Sequence, residues 1–225
     1  MNDLNSYGFI FDMDGTLVDN MRVHAEAWRL LLEENGLEMD PHNFLVATAG
    51  KTNREILPTI FGEATAERLD ELALRKEELY RDAYLPIRQP VAGLIDFLTE
   101  ARDRGIRMAV ATAASHRNME FILDGLELRQ YFAAVTTASD VKHGKPDPAM
   151  FLVSAEKLGV ETRKCLVFED AFGGFEAAHR AGMKSIGLAT VNTVEQILER
   201  PSVVEAHADF TSMNAGDLVA TYLRG

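Results

Sequence analysis

The chain has 225 residues and a formal net charge of −12, from 35 acidic residues against 23 Lys and Arg. Hydrophobic residues make up 47% and charged residues 26%, a balance that argues against disorder. The negative charge argues against a nucleic-acid partner, and no apolar run approaches the roughly 18 residues that a membrane-spanning helix needs.

Cys165 is the single cysteine, so no intramolecular disulfide can form. The first residues lack the basic and apolar regions of a signal peptide. We therefore expect a cytoplasmic protein without a membrane partner, present as a monomer or a weak homodimer.

The first predicted element is a buried strand over residues 7–11, which leads directly into Asp12 and Asp14. Two carboxylates after a buried strand mark either a solvated turn or the position of a cation. Gly15 follows them and allows the chain to turn sharply.

Residues 19–86 carry helical patterns and no convincing strand. The predicted helices cover 21–34, 52–61 and 64–84. This block indicates an inserted α-helical cap domain over 19–86, with hinges at 17–20 and 85–90. The core would then consist of 1–18 and 87–225.

Strands and helices alternate in the remainder of the chain. Helices are predicted at 91–104, 148–158 and 174–181, and strands at 107–111, 133–137, 165–168 and 184–188. Asp147 and Pro148 suit the N-cap and first turn of the second of these helices. The alternation predicts an α/β fold with a doubly wound, Rossmann-like parallel sheet.

In such a sheet, ligands bind beyond the carboxyl ends of the strands. The polar residues predicted at this edge are Asp12, Asp14, Thr112, Lys145, Glu169 and Asp170. Carboxylates are hard oxygen ligands that suit Mg²⁺, and Mg²⁺ commonly binds substrate phosphate as well. Asp12 could attack phosphorus, Asp14 could transfer a proton, and Thr112 and Lys145 could hold phosphoryl oxygens.

These residues, in this order, resemble the four motifs of the haloacid dehalogenase superfamily. The matching segments are Asp12-Met13-Asp14-Gly15-Thr16, Thr112, Lys145-Pro146 and Glu169-Asp170. The chain is most similar to the β-phosphoglucomutase-like branch, which includes sugar-phosphate phosphatases.

The resemblance implies a role for each motif residue. Asp12 would become an aspartyl phosphate, and Asp14 would act as general acid and base. Mg²⁺ would be held by the Asp12 side chain, the Asp14 backbone carbonyl and Asp170, with Glu169 supporting directly or through water. Thr112 and Lys145 would orient and neutralise the phosphoryl group.

The resemblance also extends to the cap, where residues 50–55 match the substrate-specificity loop. The implied substrate-binding residues are Thr16, His24, Gly50, Lys51, Arg54, Lys76 and Ala113. His24 and Lys76 fall where the mutase has a cap His and Lys. The spacing from Gly50 to Arg54 is one residue longer than in the mutase, and Asn20 stands where Thr is expected, so both departures disfavour mutase activity.

Structural roles stay open for several of these residues. His24 and Trp28 are spaced for packing within one helix, Lys76 lies in a charged run typical of a solvated helix face, and Glu169-Asp170 could cap the following helix. We interpret His143 and Cys165 as structural.

The sequence thus predicts a Mg²⁺-dependent phosphatase acting on a small phosphorylated metabolite, a sugar phosphate. A phosphomutase using the same intermediate is the alternative. A receiver-like signalling module is a more distant alternative. Its phosphorylated aspartate would follow a strand in the middle of the chain and not the first strand, and it would have no helical cap.

Overall fold

The computed structural model describes residues 4–38, 40, 44, 48 and 51–224. The strands in this part of the chain are β1 (Gly8–Phe11), β2 (Arg107–Ala111), β3 (Ala134–Thr136), β4 (Cys165–Glu169), β5 (Lys184–Leu188) and β6 (Val203–His207). The helices are α1 (Met21–Glu34), α2 (Asn53–Phe61), α3 (Ala66–Tyr84), α4 (Leu94–Asp103), α5 (His116–Leu123), α6 (Ala149–Leu158), α7 (Phe172–Arg180), α8 (Val194–Leu198) and α9 (Ala215–Tyr222).

The strands form one parallel sheet in the order β3-β2-β1-β4-β5-β6. The chain starts in the middle at β1, builds outward through β2 and β3, and then returns to continue from β4 on the other side. This is the doubly wound α/β arrangement that the sequence predicts. Its order reverses beside β1, where such sheets bind ligands.

The central strand is buried on both faces. Phe9 and Phe11 point into one apolar cluster with helices α4 and α9, whereas Ile10 points into another with α6 and α7. The ring of Phe11 stacks on Phe168 of β4, with centroids 4.4 Å apart. This packing fixes the ends of β1 and β4 side by side, and with them the residues that follow each strand.

Helices α1, α2 and α3 lie between β1 and α4 and share a separate small core. Its buried members are Trp28, Leu31, Ile56, Leu57 and Leu72. This agrees with an inserted helical cap, and the limits at 18/19 and 86/87 remain a prediction. The two connecting segments meet where Val91 N donates to Leu17 O at 2.9 Å.

The structure differs from the sequence prediction at several places. Helices α5, α8 and α9 are not among the predicted elements, and α7 begins at Phe172 instead of at residue 174. Helix α6 begins at Ala149, with Pro148 as N-cap, and Asp147 Oδ1 accepts a bond from Ala149 N at 2.9 Å. Strand β6 was not predicted, because it is an edge strand whose five residues are all half-buried. Its sequence therefore lacks the continuous apolar run of the inner strands.

Candidate active site

The ends of the inner strands bring the predicted polar residues to one edge of the sheet. Asp12 N donates to Phe168 O and Thr112 N donates to Thr136 O, each at 2.9 Å, so the sheet's bonding pattern continues into both residues. Asp12, Thr112 and Lys145 line a cavity of about 770 Å³ between the core and the helical insertion.

Three carboxylates converge at the base of this cavity. Asp12, Glu169 and Asp170 each offer an oxygen within 4.8 Å of the others, and all three are buried. Lys145 Nζ donates to Asp12 Oδ1 and to Glu169 Oε1, at 2.5 Å in both cases. The expected convergence of acidic groups and one ammonium is therefore present.

Glu169 is already extensively bonded. Besides the bond from Lys145, its Oε2 accepts bonds from the backbone N–H groups of Asp170 and Ala171, both at 2.7 Å. The N-cap residue of α7 is Ala171, so neither Glu169 nor Asp170 takes that position, and the bonds of Glu169 hold the turn that precedes the helix. Asp12 and Asp170 are left as the carboxylates best able to bind a cation.

The electrostatics of the site also favour a cation. Burial raises the pKa of Asp12 to about 8, and the nearby Glu169 and Asp14 add to this while Lys145 opposes it. Burial, Glu169 and Asp12 together raise the pKa of Asp170 well above its usual range. The three buried carboxylates would carry more negative charge than Lys145 offsets. Such a cluster of oxygen atoms fits a divalent ion such as Mg²⁺.

The turn after Asp14 holds Asp170 in place. Gly15 has a φ of +87°, and a Cβ there would lie 2.2 Å from Asp170 Oδ2. Thr16 is fully buried and does not line the cavity, and its hydroxyl donates to Asp170 Oδ1 at 3.4 Å. The predicted substrate contact of Thr16 is therefore replaced by a contact with Asp170.

Asp14 faces the helical insertion instead of the acidic cluster. Asn20 Nδ2 donates to Asp14 Oδ1 and to Tyr80 Oη, at 2.6 Å each, and His24 Nε2 lies 3.5 Å from the same Asp14 oxygen. The ring of His24 stacks on Tyr80. Burial raises the pKa of Asp14, but His24, Asn20 and Lys76 outweigh it and lower the pKa overall.

Lys76 is buried, so the alternative of a solvated helix face is wrong. It is 3% exposed, lines the cavity, and donates to His24 Nδ1 at 2.8 Å. Because an ammonium can only donate, His24 Nδ1 must accept, which places the ring proton on Nε2 facing Asp14. The buried positions Leu72, Lys76, Tyr80 and Tyr84 recur every four residues along α3, a signal that was present in the sequence.

The other predicted substrate-binding residues have mixed outcomes. Lys51, Arg54 and Ala113 line the cavity, and Gly50 lies outside the described residues. His143 also lines the cavity, whereas Cys165 is buried in the core and burial raises its pKa to about 12. Sequence reasoning missed Glu77 and Asn118, two buried cavity residues that no motif marks.

Comparison with known proteins gives the family. The model of the haloacid dehalogenase-like hydrolases matches residues 8–182. The chain belongs to this family. The predicted superfamily membership is confirmed, and with it the prediction of a hydrolase.

Relatives within the haloacid dehalogenase-like hydrolases carry phosphatase names. The chain is 39% identical to the fructose-1-phosphate phosphatase YqaB of Escherichia coli K12, over 80% of this chain and 94% of that protein. It is 32% identical to a phosphorylated carbohydrates phosphatase of Thermotoga maritima, over 79% and 82% respectively.

Solved structures of the family share the fold. The β-phosphoglucomutase of Clostridium difficile matches with a TM-score of 0.84 at 25% identity, covering 99% of this chain and 97% of that one. This confirms the predicted likeness to the β-phosphoglucomutase branch. In the part of the chain that the structure describes, every helix is too short or too polar to span a lipid bilayer.

Proposed function

We propose that the protein is a Mg²⁺-dependent phosphatase that hydrolyses a phosphorylated sugar through an aspartyl phosphate on Asp12. The observation that carries this proposal is the position of the Asp12 carboxylate. It is buried at the cavity floor, bonded to Lys145 and within 4.8 Å of Glu169 and Asp170. A nucleophile, a cationic partner and oxygen ligands for a metal are thus in contact.

The reaction takes place in two displacements. Asp12 in its ionised form attacks phosphorus through a carboxylate oxygen, and the bond from phosphorus to the sugar oxygen breaks. The negative charge of the bound phosphate ester raises the pKa of the neighbouring Asp14, which donates a proton to that oxygen. Asp14 then removes a proton from water as the water attacks the phosphorus. Inorganic phosphate leaves and the Asp12 carboxylate is regenerated.

The surrounding residues support both displacements. Asp12, Asp170 and the Asp14 carbonyl would hold Mg²⁺, which supplies positive charge to the phosphoryl oxygens when bound. Lys145 adds a second positive charge at the same atoms. The Thr112 hydroxyl, which accepts a bond from Ala114 N at 3.0 Å, keeps its own proton to donate to a phosphoryl oxygen.

The sugar would occupy the part of the cavity under the helical insertion. His24, Lys51, Arg54 and Lys76 line that part, and the side chains of Lys51, Arg54 and Lys76 offer hydrogen-bond donors to hydroxyl groups. The names of the two relatives, one acting on fructose 1-phosphate and one on phosphorylated carbohydrates, support this substrate class.

A substrate screen tests the proposal. Phosphate release should be measured with sugar 1-phosphates, sugar 6-phosphates, nucleotides and pyrophosphate, with Mg²⁺ and with a chelator. We expect release from sugar phosphates that requires Mg²⁺. Equal activity in the chelator, or activity confined to nucleotides or pyrophosphate, would refute it.

A phosphomutase is the second candidate. It is favoured by the contact of Lys76 with His24, by the position of His24 beside Asp14, and by the β-phosphoglucomutase structure described above. The two functions differ in whether water or a sugar hydroxyl attacks the phosphorylated Asp12. Conversion of β-glucose 1-phosphate, with a trace of bisphosphate, to glucose 6-phosphate without free phosphate would establish the mutase.

A further inference from the structure

Glu77 is a buried carboxylate that the proposed chemistry does not use. It lies on α3 beside Lys76 and is 8% exposed. Its Oε1 accepts bonds from Asn53 Nδ2 at 2.6 Å and from Lys76 Nζ at 3.1 Å. Its Oε2 accepts a bond from Asn118 Nδ2. A buried charge is costly unless it is bonded in this way, so the surroundings of Glu77 are built for it.

The bond to Asn118 crosses from the helical insertion to the core. Asn118 is on α5 and is 2% exposed, and its Oδ1 accepts a bond from Arg81 Nη1 of α3 at 2.7 Å. Both polar atoms of the Asn118 side chain are therefore hydrogen-bonded to side chains of α3, Nδ2 to Glu77 and Oδ1 to Arg81. The contact of Glu55 with Gly144 N also crosses this boundary, at 3.4 Å, and is a weaker one.

The same carboxylate is connected to the reacting groups. Glu77 accepts from Lys76, Lys76 donates to His24, and His24 Nε2 faces Asp14 at 3.5 Å. Lys76 Nζ is thus held between two side chains. Glu77 bonds to the core through Asn118, and His24 lies beside Asp14, the proposed acid and base.

We infer that Glu77 and Asn118 form a docking pair that seats the cap on the core and, in doing so, positions Lys76 and His24 beside Asp14. Glu77 is a positioning residue, because it acts on the reaction through Lys76. The kinetic part of this inference rests on the proposed function, whereas the docking part does not.

An exchange of donor and acceptor tests the pair. In Glu77→Gln the new amide N–H₂ faces a donor in either orientation, Asn118 Nδ2 in one and Lys76 Nζ with Asn53 Nδ2 in the other. In Asn118→Asp two carboxylates face each other. In the double variant the new glutamine can donate to the new aspartate. The glutamine still accepts from Asn53 and Lys76, and the aspartate still accepts from Arg81. We expect each single change to lower kcat/KM by about 10- to 100-fold and the double variant to recover most of that loss.

The control is Glu78→Gln, the next residue of α3, whose side chain is 52% exposed. It removes the same charge from the same helix without touching Asn118, and should change kcat/KM by less than about twofold. Thermal unfolding of every variant identifies any loss of fold. Failure of the double variant to recover, with its fold intact, would overturn the inference.

A second measurement is independent of activity. Spin labels at Glu71→Cys on α3 and Glu120→Cys on α5 report the cap-to-core distance, and the buried Cys165 stays unlabelled. The single variants should lengthen and broaden this distance, and the double variant should restore it. If the protein releases no phosphate from any substrate, the proposed function is refuted. The distance between the two labels still tests whether Glu77 and Asn118 form a docking pair. An unchanged distance in both Glu77→Gln and Asn118→Asp would refute the pair.

Discussion

The carboxylate of Asp12 is the single group on which the proposed chemistry depends. Asp12→Asn keeps the shape of the side chain and its position beside Lys145, but an amide cannot form the acyl phosphate. We expect Mg²⁺-dependent phosphate release to fall by at least about 10³-fold with no loss of thermal stability.

Asp19→Asn provides the matched control for this change, since Asp19 is exposed at the entrance to α1. It should retain near-normal turnover. Substantial activity in Asp12→Asn would show that another group attacks phosphorus.

Gly15 makes a separate prediction at the residue scale. Gly15→Ala places a Cβ 2.2 Å from Asp170 Oδ2, so Asp170 must move away from Asp12. Gly182→Ala carries a similar backbone cost at φ +70° and meets nothing within 4 Å. Gly182→Ala should lose about 1–2 kcal/mol of stability, and Gly15→Ala should lose more because of the clash with Asp170. Gly15→Ala alone should also lose Mg²⁺ affinity, measured by calorimetry. Equal Mg²⁺ affinities in the two variants would contradict the assignment of Asp170 as a ligand.

At the scale of elements, α3 carries the small core of the cap. Leu72 is 2% exposed within that core, whereas Leu74 on the same helix is 59% exposed. Leu72→Ala should therefore lower the free energy of unfolding by about 2–5 kcal/mol, and Leu74→Ala by less than about 0.5 kcal/mol. Denaturant titration followed by circular dichroism measures both, and equal losses would argue against a packed cap.

The elements differ in how well the sequence predicted them. Strands β1, β2, β4 and β5 are predicted because most of their residues are buried and form continuous apolar runs. The edge strand β3 is half-buried at two of its three residues, and the half-buried β6 has a glutamate and a histidine in its sequence. The acidic motif residues can be predicted to lie close together because the carboxyl ends of parallel strands meet at one edge of the sheet. The contact between Glu77 and Asn118 cannot be predicted in this way. It depends on the angle between cap and core, which no local sequence pattern encodes.

For the molecule as a whole, the buried acidic cluster links stability to pH and to metal. Between its ordinary pKa of 3.8 and about 8, Asp12 holds its proton in the folded protein and loses it in the unfolded chain. The folded state then binds more protons, so the metal-free protein should become less stable as the pH rises across this range.

Added Mg²⁺ should raise the melting temperature, and by more at pH 8 than at pH 5, because protons compete with the ion for the same oxygens. Thermal unfolding in chelator and in Mg²⁺ over this pH range measures the effect. In Asp12→Asn the stabilisation by Mg²⁺ should vary less with pH. A stabilisation by Mg²⁺ that does not vary with pH would exclude the buried carboxyls as its ligands.

The bond from Val91 N to Leu17 O has a consequence for the substrate. It joins the two connecting segments at the base of the helical insertion, which is therefore attached to the core at one place. The insertion can rotate about this place but cannot separate from the core. A small rotation there displaces the residues farthest from it the most. The space available to a bulky leaving group is then set by the angle of this rotation as much as by the side chains that line the cavity.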